Sequence, residues 1–182
     1  MNELQMIAGC KEQKREAQKV LYETYARKMY SICLRYSSDS DAAQDLLQDG
    51  FIKVFANISS YQEKGSFEGW LKRVFINLAL ENLRKKKSIF ESSEDIQNLP
   101  DLVDESTEDD QMYRISETEL LKMVQGLPKG YSTVFNLYAI EDYSHKEIAD
   151  MLGISEGTSR SQYVRARQIL QEKVRQYVKE QL

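Results

Sequence analysis

The sequence predicts an all-α protein made of two small helical domains joined by an acidic linker. Only two prolines occur in 182 residues, and 41% of the residues are hydrophobic, which is enough for packed cores and leaves few helix breakers. Long stretches rich in Leu, Lys, Glu, Gln and Ala favour helices over strands. We therefore place a first domain at 1–90, a linker at 91–111 and a second domain at 112–182.

The net charge of −4 is unevenly distributed along the chain. Residues 1–90 carry 15 basic and 11 acidic side chains, residues 91–111 carry nine acids and no base, and residues 112–182 carry ten bases and nine acids. Self-repulsion and Pro100 predict that the acidic segment is a solvated linker. Its charge could instead mimic nucleic acid or keep the two basic domains from binding DNA alone, and the sequence leaves these alternatives open.

Apolar residues at helical spacing predict three helices in the first domain. They run from about Lys11 to Tyr36, from Ser40 to Ile58 and from Ser66 to Lys87, with a turn-prone loop at 59–66. Each helix has an apolar stripe that should face the core. The three stripes are Leu21, Tyr25, Met29, Ile32 and Tyr36; Ala43, Leu47, Phe51, Val54 and Ile58; and Phe67, Trp70, Leu71, Val74 and Leu78.

A polar and basic stripe lies on the third helix, opposite its core face and beside the loop. Aromatic and amide groups can hold an unstacked base while Lys and Arg side chains follow the backbone, so this surface could grip single-stranded DNA. A solvated helix face is the alternative interpretation. The candidate residues on the helix and in the loop are Arg73, Asn77, Leu80, Arg84, Tyr61, Lys64, Ser66 and Phe67.

The second domain contains the most informative motif, at 143–170. Two helices are predicted before it, from Glu117 to Val124 and from Pro128 to Ile140. Within the motif, Ser144 and Glu147 form a capping box, Gly153 permits a left-handed turn, and Ser155 caps a second, longer helix. Two helices joined by a tight glycine-containing turn predict a DNA-binding helix-turn-helix whose second helix enters the major groove.

The second helix of this motif has one apolar and one polar face. Arginine pairs bidentately with guanine, Ser and Gln suit other base edges, and a small residue at the helix start allows close approach to a phosphate. An ordinary helical hairpin with solvated arginines is the alternative, and we expect His145 to be exposed or to touch a phosphate. The candidate DNA contacts are Ser155, Gly157, Thr158, Arg160, Ser161, Gln162, Arg165 and Gln168. The expected core residues are Tyr163, Ala166, Leu170, Val174 and Tyr177.

The order and spacing of three segments resemble those of the extracytoplasmic-function (ECF) sigma factors of bacterial RNA polymerase. The segments are DAAQDLLQDGFIKVF (41–55), SFEGWLKRVFINLALENLRKKK (66–87) and LPKGYSTVFNLYAIEDYSHKEIADMLGISEGTSRSQYVRARQIL (127–170). The resemblance extends from about Val20 to Val178, outside the linker. It implies a region 2-like domain that binds core polymerase and melts the −10 element, and a region 4-like domain that binds the −35 element.

The same resemblance assigns the acidic helix 41–55 to the clamp helices of core RNA polymerase. Four acids and no base between Ser37 and Ile52 agree with a surface that faces a protein rather than DNA. Promoter DNA and a cognate anti-sigma factor are the other implied partners. Ser159 stands where the family usually has an aliphatic residue, and Gln162 where a basic one is common. The candidate polymerase contacts are Asp41, Asp45, Leu46, Gln48, Asp49 and Ile52.

Two other classes of protein fit the sequence less well. A stand-alone regulator would share the helix-turn-helix but not the acidic patch, and an adaptor that avoids DNA would not need the Arg160 and Arg165 face. We expect no enzyme and no cofactor, because the sequence has no nucleophile–base pair, metal cluster or phosphate loop. The sequence has no run of about 18 apolar residues, so we expect no membrane insertion. Cys10 and Cys33 lack metal-site spacing, which indicates reduced thiols in a cytoplasmic protein.

Overall fold

A computed structural model describes residues 1–85 and 115–181. The chain divides after Lys85 into two compact units, which we describe separately. The described residues contain helices and turns but no strand, so the predicted all-α class is confirmed. The predicted acidic linker at 91–111 and the basic run Lys86–Lys87 lie outside the described residues. The exact domain boundaries therefore stay a prediction.

The first unit has four helices and a short 3₁₀ turn, Ile58–Ser60, after the third helix. The first of these helices is not among the predicted ones, and the second begins at Arg15, four residues later than predicted. At the break between them Gln13 has φ +60°, and the Gln13 and Lys14 amides donate to the Cys10 and Gly9 carbonyls. The helices are α1 (Glu3–Lys11), α2 (Arg15–Tyr36), α3 (Ser40–Asn57) and α4 (Phe67–Lys85).

The core of the first unit lies between α2, α3 and α4. All ten predicted core residues of α2 and α3 are buried. On α4 the buried face is wider than predicted, because Phe75, Ile76 and Leu80 are also in the core, while Trp70 and Val74 are half-buried. Leu80 had been placed on the polar stripe, and that assignment was wrong: its side chain is 4% exposed.

In residues 115–181 the second unit has four helices, with a π-helical turn, Asn136–Ile140, between the second and third. This turn replaces the end of the predicted helix from Pro128 to Ile140, and Pro128 is the N-cap rather than a first-turn residue. The core of the second unit is formed by small and apolar residues, among them Gly130, Val134 and Leu137. The helices are α5 (Glu117–Gln125), α6 (Lys129–Phe135), α7 (His145–Leu152) and α8 (Glu156–Gln181).

The contact between α3 and α4 depends on a glycine. Gly50 is buried in α3, and a Cβ atom built there would overlap the ring of Phe75. That ring also meets Phe51 edge-on, with 5.3 Å between the ring centroids. Because the overlap involves the body of an aromatic ring inside the core, it cannot be relieved by a small side-chain movement.

We expect Gly50→Ala to destabilise the first unit by about 1–3 kcal/mol, the usual range for overpacking a core. Urea unfolding followed by the fluorescence of Trp70, the sole tryptophan, measures this unit directly. Gln44→Ala is the control, because Gln44 is exposed on the same helix. Equal stability of the Gly50→Ala and Gln44→Ala proteins would contradict the close packing.

Candidate nucleic-acid interface

The predicted helix-turn-helix is present in the second unit. The Glu147 amide donates to Ser144 Oγ (3.2 Å), and the Ser144 amide donates to Glu147 Oε2 (2.9 Å), which completes the capping box that starts α7. Gly153 ends α7 with φ +70°, and its amide donates to the Ala149 carbonyl (2.9 Å). Ser155 then starts α8 by accepting a hydrogen bond from the Thr158 amide (3.0 Å).

The interior of the motif is apolar with two polar exceptions. Ile148 and Leu152 of α7 are buried, and so is Ala166 of α8 as predicted. The other predicted core residues of α8 are only half-buried, because this part of the helix packs on the unit with one edge: they are Tyr163, Leu170, Val174 and Tyr177. Ser159 and Gln162 of α8 are also buried, at 0% and 8% exposed. These are the two positions at which the sequence departs from the family pattern, so both departures lie at the packing side of α8.

Burial changes the assignment of Gln162. Gln162 is predicted to contact the −35 element, but its side chain packs against Gly130 instead. A Cβ atom built on Gly130 would lie 3.4 Å from Gln162 Oε1. A side chain buried in this way has almost no surface to present to DNA. We therefore leave Gln162 out of the proposed contacts.

Ser159 is hydrogen-bonded to the single histidine of the chain. Its Oγ lies 2.9 Å from His145 Nδ1, which joins the start of α7 to the first turns of α8. The His145 ring stacks on Tyr138 with 4.2 Å between centroids and a 10° interplanar angle, and Tyr138 in turn contacts Tyr163. Burial, followed by the nearby Arg160 charge, lowers the pKa of His145, which favours the neutral imidazole.

The opposite side of α8 is open to solvent. Arg160 is exposed and pairs with the Glu156 carboxylate one turn earlier (2.9 Å). Ser161 is exposed, and Val164 is 51% exposed, whereas Arg165 and Gln168 are half-buried with 3.5 Å between Arg165 Nη1 and Gln168 Oε1. The structure therefore brings most of the predicted −35 residues to one surface. They are Ser155, Gly157, Thr158, Arg160, Ser161, Arg165 and Gln168.

The loop before α4 is organised by aromatic rings. Tyr61 packs against Phe67 and Trp70, with centroids 5.2 and 5.7 Å apart, and its hydroxyl donates to the Gly65 carbonyl (2.9 Å). Tyr61 and Phe67 are 7% and 1% exposed. The expectation that these two rings hold a base does not fit this arrangement, because they form the interior of the loop.

The polar side chains of this region do reach the surface. Lys64 and Ser66 are exposed in the loop, and Ser66 Oγ accepts a hydrogen bond from the Gly69 amide (3.1 Å) at the start of α4. Arg73, Asn77 and Arg84 are exposed along α4. The predicted single-strand surface is thus a polar and basic strip without exposed aromatic rings from Tyr61 or Phe67.

The outer face of α3 is acidic with one large apolar side chain. Asp39 caps the helix by accepting a hydrogen bond from the Ala42 amide (2.8 Å). Ile52 is 67% exposed, whereas Leu46 is 4% exposed and belongs to the core, so Leu46 is removed from the candidate contacts. The exposed members of the predicted polymerase surface are Asp41, Asp45, Gln48, Asp49 and Ile52.

Comparison with known proteins supports the resemblance seen in the sequence. Residues 21–89 match the family model for Sigma-70 region 2, and residues 117–170 match that for Sigma-70 region 4. ECF RNA polymerase sigma factor SigE of Mycolicibacterium smegmatis is 34% identical over 156 residues, which cover 84% of this chain and 59% of that protein. The chain belongs to the ECF sigma factors.

Other relatives agree in sequence and in fold. SigW of Bacillus subtilis is 27% identical over 163 residues and is covered to 87% of its length. The sigma factor RpoE from Bartonella quintana, solved with the anti-sigma factor NepR, has a TM-score of 0.56 at 22% identity, covering 86% of this chain and 96% of that one. CnrH, solved with the cytosolic domain of CnrY, has a TM-score of 0.52 at 17% identity, covering 93% and 94%.

Family membership also decides the class of activity. Sigma factors are transcription initiation factors and not enzymes, so the expectation of a non-enzymatic protein is confirmed. Within residues 1–85 and 115–181, no three His, Cys, Asp or Glu side chains are grouped to hold a metal ion. In the same residues, no helix combines the length and apolar character needed to cross a membrane.

We expect Ser159→Ala to loosen the helix-turn-helix by about 1 kcal/mol, because His145 loses its hydrogen-bond partner. Amide hydrogen exchange of α7 measures the local stability of the second unit, whereas Trp70 fluorescence reports only on the first unit. Ser161→Ala, two residues further on the exposed side of the same helix, is the control. If exchange accelerates equally in both variants, the hydrogen bond between Ser159 and His145 contributes nothing to the stability of the helix-turn-helix.

Proposed function

We propose that this sigma factor carries core RNA polymerase to a narrow set of promoters, where the first unit opens the −10 element and the second binds the −35 duplex. One observation carries the proposal. A single chain contains region 2 followed by region 4, and each has exposed side chains of the chemistry its partner requires. The work takes place in the cytoplasm, where polymerase and promoter DNA are found.

In the second unit, α8 reads the −35 element in the major groove. Arg160 is the leading candidate for a base contact, because its guanidinium is exposed and can pair bidentately with guanine. Ser161 and Gln168 add contacts to base edges, and Val164 offers an apolar surface to a thymine methyl group. Ser155, Gly157 and Thr158 lie at the helix start, where backbone amides attract a phosphate.

In the first unit, exposed polar groups of the loop and α4 hold the opened −10 strand. Lys64, Arg73 and Arg84 supply positive charge along the strand, while Ser66 and Asn77 supply hydrogen bonds to an extruded base. Extrusion costs a few kcal/mol, which such contacts can offset without any catalytic group. Tyr61 and Phe67 support the loop from inside rather than stack on the base.

The outer face of α3 binds the clamp helices of core polymerase. Its carboxylates attract a basic partner as it approaches, and Ile52 supplies apolar surface that is removed from water on binding. None of the inward-facing residues of α3 is needed for this contact, because they already fill the core. The same helix therefore serves packing on one side and polymerase on the other.

An anti-sigma factor is the expected regulator. Two similar structures contain a bound partner: the sigma factor RpoE was solved with the anti-sigma factor NepR, and CnrH with the cytosolic domain of CnrY. We propose that a protein of this class covers the polymerase and DNA surfaces of this chain as well. Its identity and the signal that releases it are separate questions.

Reconstitution tests the proposed function. The full-length protein is mixed with bacterial core RNA polymerase, and transcripts are mapped from a library of genomic fragments. We expect stoichiometric association and start sites that share −35 and −10 elements. Binding to duplex DNA by the protein alone, without polymerase association or transcription, would instead identify a stand-alone regulator.

We expect Arg160→Ala to weaken binding to a −35 duplex by about 1–3 kcal/mol and to relax the preference at one base pair. Competition with duplexes substituted at single positions measures both effects. Arg175→Ala is the matched control, since Arg175 is exposed on the same helix beyond the proposed contacts. An equal loss on every sequence would make Arg160 a phosphate contact rather than a reader of bases.

We expect Asp45→Lys combined with Asp49→Lys to reduce affinity for core polymerase by at least about tenfold, because two favourable charges become repulsive. Titration of fluorescently labelled protein with core polymerase measures the change. Glu16→Lys with Glu23→Lys makes the same change in charge on the exposed side of α2. Similar affinities for the two double variants would remove α3 from the interface.

A further inference from the structure

Helix α1 precedes the part of the chain that matches the region 2 family model, which begins at residue 21. It is nevertheless packed into the first unit. Met6, Ile7 and Cys10 are buried, and Gly9 lies so close to α2 that a Cβ atom there would be 2.6 Å from Ala17 Cβ. Such packing fixes the position of the residues at the end of α1.

The last residue of α1 reaches the loop proposed to hold the −10 base. Lys11 Nζ donates to the Tyr61 carbonyl (3.3 Å) and lies 3.9 Å from the Glu63 carboxylate. The Lys11 side chain is only 32% exposed. A half-buried ammonium group thus contacts the loop at two of its residues, fifty positions later in the sequence.

The loop has a conformation that requires such support. Glu63 has φ +59°, a left-handed conformation that side chains other than glycine rarely adopt, and Gly65 has φ +88°. Backbone of this kind persists when surrounding contacts hold it in place. The hydrogen bond from the Tyr61 hydroxyl to the Gly65 carbonyl closes the loop from inside, and Lys11 holds it from outside.

A second contact ties the other end of α1 to the same aromatic cluster. The Tyr25 hydroxyl donates to Glu3 Oε2 (2.7 Å), and the Tyr25 ring meets Phe67 edge-on. Phe67 in turn packs against Tyr61. Burial raises the pKa of Tyr25, so its hydroxyl keeps the proton that it donates.

We infer that α1 holds the loop Tyr61–Ser66 in its conformation, and that Lys11 is a positioning residue for capture of the −10 base. The inference rests on the proposed function of that loop. Lys11 itself touches no DNA in this scheme. It lowers the cost of opening by keeping Lys64 and Ser66 in one arrangement before DNA arrives.

Promoter opening by reconstituted holoenzyme tests the inference, on a promoter mapped with the wild-type protein. Lys11→Met keeps most of the aliphatic stem and removes the donor and the charge. We expect about three- to tenfold less opening, measured by permanganate reactivity of −10 thymines, which corresponds to the net contribution of one ordinary hydrogen bond. Affinity for core polymerase and for the −35 duplex should not change, and Lys11→Arg should restore opening.

Lys14→Met is the matched control. It removes the same charge three residues away, from a side chain that is 66% exposed and pairs with Glu12 instead of the loop. Opening by the Lys14→Met protein should equal that of wild type. Urea unfolding followed by Trp70 fluorescence shows whether each variant remains folded under the assay conditions.

Three results would overturn the inference. Lys11→Met could open the promoter as well as Lys14→Met, it could lose polymerase affinity as much as opening, or Lys11→Arg could fail to rescue. The first result would leave the proposed function intact, because wild type and variant would both open DNA. Failure of the wild-type holoenzyme to open any promoter would overturn the proposed function, and this inference with it.

Discussion

The close contact of α3 and α4 at Gly50 is the constraint from which the working surfaces of the first unit follow. Phe75 occupies the space that any larger residue at position 50 would need, so the two helices share one buried seam. With that seam fixed, the carboxylates of Asp45 and Asp49 must lie on the outer side of α3. Arg73 and Asn77 likewise lie on the outer side of α4. Separation of the proposed polymerase surface from the proposed −10 surface is thus a consequence of core packing.

In the second unit, a turn and a part-buried hydrogen bond determine which side of α8 stays open to solvent. Gly153 has the left-handed conformation that redirects the chain, and the Ser159–His145 bond then fixes α8 against the start of α7. This hydrogen bond contributes orientation that an aliphatic residue at position 159 would not, because a hydrogen bond is directional. Arg160, the next residue, is thereby held on the open side of the helix.

The sequence could predict whatever repeats with the helical period or depends on neighbouring residues. The stripes of α2 and α3, the Ser144 capping box and the turn at Gly153 are of this kind. Burial that depends on distant residues could not be read in this way. Leu80 lies on a helix face whose neighbours come from other helices, and the burial of Gln162 depends on the space left by Gly130. Helix α1 was missed because its apolar residues form no long stripe, although Asn2 and Gln5 make a capping box that signals its start.

A net charge of −4 does not prevent the proposed binding of DNA, because the arginine proposed to contact a base is held only by a weak surface ion pair. Arg160 and Glu156 pair across one exposed turn, and such a pair contributes only about 0–1 kcal/mol in water. A phosphate or a guanine can therefore replace the carboxylate at little cost. In the proposed complex the carboxylate stays near the groove and repels phosphates in other registers, so we expect it to disfavour unspecific binding. In the proposed complex, acidic residues near the arginines would then contribute to selectivity rather than to affinity.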